Sequence, residues 1–328
     1  MTTDSVSTPV AAAGPLGRFK RSLVEQIEAA GGRHDEAAIY AGEPGDPGLA
    51  GGPGSISWEI NGDLASLVVG GTGAILLEVL HPSVMAGVFT QSSYRTDPLR
   101  RARNTLGYVL RTTFGSTVAA TRVIEGVKRV HSRVNGTRPD GVEYRALDPE
   151  LIAWVHTCIP WAVMSAYHRY CRPLSTEEKD RYLTEQAVIG RLGGADWVPG
   201  TVAELHDYVE KMRPLMGMNE QTREFMDFLA GRTDDFEIGR RERFDRWVSI
   251  RASMTLMPEW ARRLTGTWQP GLLERFWLQP SDRLKARTIR WAYPDLPCKQ
   301  MALARVASAP AAERERRPLQ EYVVQTAT

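Results

Sequence analysis

Three cysteines in 328 residues, none of them in a CxxC pair, leave no disulfide framework to build on. Cys158, Cys171 and Cys298 read as free thiols, and a reducing compartment is the simpler setting. An excess of one charge is missing too. The 41 basic and 39 acidic residues leave a net charge of +2, so overall charge makes no case for nucleic acid or an anionic membrane as a partner. Long apolar runs are absent. The most apolar stretch, 64–80, is shorter than the roughly 20 residues a membrane helix needs, with Asp63 just before it and Glu78 near its end. The first residues lack a charged start followed by an apolar run, and so do not read as a secretory signal. Alternating strand patterns are nearly absent, and nothing repeats at a fixed period. No HExxH, GxSxG or P-loop occurs. Gly70, Gly71 and Gly73 follow no strong strand, which weakens a dinucleotide-binding reading. The expectation is a cytoplasmic protein with no membrane span.

What is present is ordinary globular composition, 42% apolar and 24% charged, with length enough for a sizeable core. The segment 42–55 (GEPGDPGLAGGPGS) is dense in glycine and proline and reads as a loop or linker. Residues 1–55 are expected to form a flexible leader, with an amphipathic piece at 19–30. Residues 56–308 are expected to form one helical domain, and 309–328 a polar tail. Within the domain, 57–63 reads as a short extended piece or turn, with Asp63 as N-cap of an apolar helix. The three glycines in that helix would let another helix or a flat ligand approach closely. Pro98 and Gly115 bracket a second helix, and a third covers 117–134. A loop is expected at 137–147. Asp148-Pro149 opens a long helix with Pro160 inside it, and Ser175 with Glu178 has capping-box spacing. Further helices are expected at 201–216, 220–231, 239–264, 281–293 and 298–307. The fold class is therefore all-α, one large bundle-like domain.

Two places can carry chemistry. Val123, Val127, Val130 and Val134 recur at spacings of three and four, and His131 lies beside this stripe with its imidazole expected to point inward. Such a histidine is either a hydrogen-bonded core residue or a ligand, and imidazole is a common ligand for haem iron. On 99–111, Arg101, Asn104, Thr105 and Tyr108 share a face. That stripe is either solvated or the wall of a pocket, with Ala102, Leu106, Val109 and Leu110 forming a separate apolar stripe. His156, between Trp154 and Trp161, reads as a second ligand, a pocket acid or base, or core. His81, before Pro82, reads as a helix-end cap. His168 and His206 have exposed-looking contexts, and His34 falls in the leader.

Five stretches, in order, carry a resemblance: SWEINGDLASLVVGGTGAILLEVLHPSVMAGV, YRTDPLRRARNTLGYVLRTTFGS, VKRVHSRVNG, EYRALDPELIAWVHTCI and RPLSTEEKDRYLTE. The chain resembles the rubber-oxygenase (latex-clearing) and MpaB-type catalytic-domain family over roughly residues 55–214. The resemblance implies a haem b held in a pocket between helices, with His131 as its iron ligand. It also implies Arg101 and Thr105 on the opposite side. Asn104 stands where some members carry a lysine that can occupy the sixth position on iron, so an open distal position is expected. Asn135 stands where rubber oxygenases have an arginine, which argues against polyisoprene cleavage. The implied activity is oxygenation by dioxygen of a small apolar or aromatic metabolite, with Arg101, Asn104 and Thr105 as catalytic candidates. Two other readings stay open. One is a helical protein that holds haem or a lipid-like ligand without turnover. The other is an interaction protein in which these residues only pack.

Overall fold

Side-chain caps set where most of the long helices begin. Asp63 accepts a hydrogen bond from the Ser66 amide at 3.1 Å, Asp97 accepts one from Arg100 at 2.9 Å, and Ser175 forms a full capping box with Glu178. The computed structural model describes residues 17, 20, 21, 24, 37–91, 94–230, 232, 239, 250, 251 and 253–309. The piece expected at 19–30, His34, residues 239–249 of the helix expected at 239–264 and the tail after 309 lie wholly or mostly outside these residues. The described end of the helix expected at 239–264 is not continuous: it breaks before Pro258, which cannot donate an amide to a preceding turn, and restarts at Glu259.

The fold is helical, as expected. Short helix α1 (Ala37–Tyr40) and α2 (Ile56–Ile60) flank the glycine-rich loop. Next come α3 (Leu64–Glu78), α4 (Pro82–Gln91), α5 (Pro98–Phe114) and α6 (Thr117–His131). Strands β1 (Asn135–Thr137) and β2 (Glu143–Arg145) pair antiparallel, with Gly136 opposite Tyr144. Helices α7 (Pro149–Tyr170), α8 (Thr176–Gly193), α9 (Val202–Met212), α10 (Glu220–Leu229) and α11 (Glu259–Leu264) follow. A turn of helix at Gly271–Leu273, a π-helical turn at Glu274–Leu278 and α12 (Gln279–Ala292) run end to end, before α13 (Pro297–Ala307). Among the described residues no single helix is long and apolar enough to cross a membrane, and α3 and α4 are bent against each other by 108°.

The core is built on α3 and α7. A Cβ placed on Gly70 would lie 2.6 Å from the Val163 Cα, so the two backbones touch where the glycines predicted a close approach. α8 covers the other side of α7, and a Cβ on Gly190 would lie 2.5 Å from the His156 ring. Trp58, Phe114, Trp154 and Tyr182 are fully buried around this seam. Burying a large apolar side chain contributes about 1.5–3 kcal/mol.

Several local expectations change. Residues 57–63 are not extended: the Ser55 hydroxyl accepts from the Trp58 amide at 3.2 Å and starts α2, which buries Ile56, Trp58 and Ile60. α6, expected to reach 134, ends at His131, and a β1–β2 hairpin that starts at Asn135 runs into the loop expected at 137–147. Buried Tyr144 anchors that hairpin, its hydroxyl 3.0 Å from the hydroxyl of Thr90 on α4. The helix expected at 201–216 stops at Met212 and tightens into a 3₁₀ turn, Arg213–Leu215, as Pro214 removes an amide donor.

The glycine-rich segment is a loop, as expected, but it is docked and not a loose tether. Asp46 accepts from the Thr117 amide at 2.7 Å and from the Thr117 hydroxyl at 2.6 Å. Buried Arg305 donates to the carbonyls of Tyr40, Asp46 and Phe114 at 2.6, 2.8 and 3.0 Å. One guanidinium thus pins the loop to the corner between α5 and α6. Gly48, at φ +74°, passes so close that a Cβ would lie 2.4 Å from the Gly115 carbonyl oxygen.

Candidate active site

Two residues, Gly115 and Ser116, separate α5 from α6. Tyr108 of α5 packs with Ala120 and Ile124 of α6, so the helices run back along each other as a hairpin. Arg101 and His131 each lie about four turns from the corner. The hairpin therefore carries both to the same end. α3 and α4 reach that end as well. Val134, three residues beyond His131, lies against Gly87 of α4, where a Cβ would be 3.6 Å from its Cγ1. Arg101 interacts electrostatically with Glu78 at the last turn of α3.

His131 sits on the inward face of α6, but the stripe it belongs to differs from the expected one. Ala120 and Ile124 are buried, Val127 and His131 are half-buried, and Val130 is 62% exposed. Among the described residues the His131 imidazole has no hydrogen-bond partner. Burial holds its pKa below the usual histidine value, so the ring is neutral at pH 7 with a lone pair available. The packed alternative is met by other histidines. His156 is half-buried against α8, its Nε2 is 2.9 Å from the Gln186 carbonyl oxygen, and burial lowers its pKa to about 4. Of the three roles open to it, the core role fits. His81 accepts from the Ser83 amide at 3.2 Å and caps the start of α4, as expected. His168, expected to be exposed, is half-buried and accepts from the Leu174 amide at 2.8 Å. His206 is exposed.

The polar stripe on α5 divides. Arg101 turns inward among Glu78 and Tyr94; burial lowers its pKa, and these two groups oppose that change. Asn104 and Thr105 are exposed, and the Thr105 hydroxyl donates to the Arg101 carbonyl at 3.2 Å. Tyr108 packs into the hairpin, where burial pushes its phenol up to about 12. Ala102 is exposed, so the apolar stripe begins only at Leu106.

Glu78 is the residue that sequence reading passed over as a mere interruption of an apolar run. It is 8% exposed, and burial raises its carboxyl to about 7 against the opposing pull of Arg101. Its backbone carbonyl accepts from the buried Trp154 indole at 3.3 Å, which fixes the last turn of α3 against α7. Its charge also reaches the buried Cys158 thiol, whose pKa is raised chiefly by burial. A carboxyl raised by burial toward neutrality, within electrostatic reach of a guanidinium, is a common feature of functional sites. The available signal was a lone acid inside a helix apolar on every side.

Among the described residues there is no group of three or more His, Cys, Asp or Glu able to hold a bare metal ion. Haem asks less of a protein, because the porphyrin supplies four nitrogens and the chain needs to add only one. A neutral, half-buried imidazole with no hydrogen-bond partner among the described residues matches that demand, and Arg101 matches a propionate or an anionic oxygen. The residues present fit the group.

The family model described as ER-bound oxygenase mpaB/B'/Rubber oxygenase, catalytic domain, matches residues 58–323. The chain belongs to this family. The match to the mpaB/rubber oxygenase catalytic domain spans α3 to α13 and so includes Glu78, Arg101, Asn104, Thr105 and His131. It makes the chain an oxygenase-type domain by descent. No curated protein and no solved structure matches the chain.

Proposed function

We propose that this protein is a haem b-dependent oxygenase that uses dioxygen on a small apolar or aromatic metabolite. The observation that carries the reading is the convergence at one end of the helical body. A neutral imidazole without a hydrogen-bond partner among the described residues, at His131, shares that end with buried Glu78 and half-buried Arg101, which interact electrostatically. Membership of an oxygenase catalytic-domain family supports it.

Haem bound there would supply the iron that activates dioxygen. His131 would hold the iron through its lone pair, since burial keeps the proton off the ring. Arg101 would stabilise negative charge that develops on oxygen, a role a preorganised donor fills best away from bulk water. Glu78, at about 7, would hold a proton on its carboxyl or release it without a large change in pH. Asn104 and Thr105 stand at the rim, where they would meet the substrate or the water that leads it in. Asn135, exposed on β1, offers no cation of the kind the resemblance expects for polyisoprene cleavage, which favours a small substrate.

Absorption spectroscopy tests the reading. Purified protein supplied with haem should show a Soret band, and His131→Ala should weaken haem affinity at least tenfold while melting like the parent. Oxygen uptake with a reductant and a panel of apolar substrates should then depend on Arg101. A protein that stays colourless with haem in excess, or a His131→Ala variant that binds haem as well as the parent, overturns it.

A further inference from the structure

Fourteen large hydrophobic side chains stand exposed among the described residues, and eight of them fall between 264 and 291. Most sit on the continuous helical run 271–292. Leu272 is 73% exposed, Phe276 69% and Leu284 67%, with Leu273 and Trp277 beside them. The inner face of the same run is modest by contrast: Leu278, Asp282 and Ala286 are buried, and Asp282 accepts from the Tyr170 hydroxyl at 3.2 Å. The amphipathic pattern is thus turned outward, with the bulkier hydrophobic residues facing solvent. The π-helical turn contributes to this. Its Gln279 amide bonds the Glu274 carbonyl, five residues back, and the extra residue shifts the faces of the helix on either side of it.

Charge on this run is one-sided. Its two acids are turned inward: Glu274 is held by Arg262 at 2.8 Å, and Asp282 is buried. The charged side chains left exposed are Arg275, Arg283 and Arg287. A second copy of this face would meet it with like charge, which disfavours pairing. Exposed Leu, Phe and Trp edged by arginine match a surface that is apolar beneath and negative above. We propose that the outer face of 271–292 seats on the surface of a bilayer containing anionic lipid, without spanning it.

Co-sedimentation of the full chain with vesicles tests this, and haem is not needed for the measurement. With vesicles of phosphatidylcholine and phosphatidylglycerol at three to one, the protein should pellet. With phosphatidylcholine alone, or in high salt, binding should fall severalfold. The double variant Leu272→Ser, Phe276→Ser should lose at least tenfold in vesicle affinity, and Arg275→Glu with Arg283→Glu should remove the preference for anionic lipid. Circular dichroism melts of both should match the parent, since the altered side chains are exposed. No pelleting by the parent, or equal pelleting by the Leu272/Phe276 variant, overturns the proposal. So does a parent dimer in sedimentation velocity that Phe276→Ser dissociates, because the face would then belong to a second copy.

Discussion

The α3–α7 seam and the α5–α6 hairpin are both helix pairs, yet they are built for different ends. At the seam, Gly70 brings backbone against backbone, and Trp154 and Cys158 are wholly buried. At the open end of the hairpin, polar groups are only half-covered, and His131 lacks a protein partner among the described residues. Close packing leaves little room for a ligand, whereas half-covered polar groups leave bonds for one to make. Glu78 and Arg101 sit where the two regions meet.

The sharpest way to break the comparison is to force the seam. Gly70→Leu pushes a side chain into the Val163 backbone and should cost about 3 kcal/mol or more, read as a lower urea midpoint. Small loss would mean that the seam yields easily and is no rigid support for the site. Next in size is Glu78→Gln. The carboxyl is raised from 4.5 to about 7, so the folded chain binds a proton that the unfolded chain has released between those values. Parent stability should therefore fall as pH rises through that window and stay lowered above it. The glutamine variant lacks the ionisation and should be more stable by up to about 3 kcal/mol at pH 8, with little advantage at pH 4. Melting both proteins from pH 4 to 8 checks the sign; parallel curves would remove Glu78 from the account. One position along α3 the effect should reverse. Gly71 has nothing within 4 Å of a Cβ, so Gly71→Ala should stabilise by up to about 1 kcal/mol through helix propensity alone. Smallest are Asn104→Ala and Thr105→Ala, which should change stability by less than about 0.5 kcal/mol, because both side chains are exposed. A marked loss of oxygen uptake at unchanged melting temperature would set them in the chemistry and not in the scaffold.

Much of the fold was legible. Asp63, Pro98, Asp148 and Ser175 announce helices that begin where those residues predict, and Gly70 announces the close approach of α7. The β1–β2 hairpin was not legible, because strands of three residues are too short to display an alternation. Nor was the docking of the 42–55 loop, which depends on Arg305 on the last helix reaching back to Asp46. Within the site, the choice between His131 and His156 was open at the level of residues. It turns on Gln186 and Gly190 of α8, which occupy the surroundings of one ring and not the other.

Sequence by itself determined most of the long helices, the starts of α3, α5, α7 and α8, and the family, since a cap or a glycine acts on neighbours within a turn or two and an ordered set of motifs survives in the chain as written. Tertiary structure alone decided the protonation of Glu78, the inward turn of Arg101 and the outward apolar face of 271–292. Each of those depends on how much water distant segments remove or leave, and desolvation is a property of the assembled body and not of any stretch of chain.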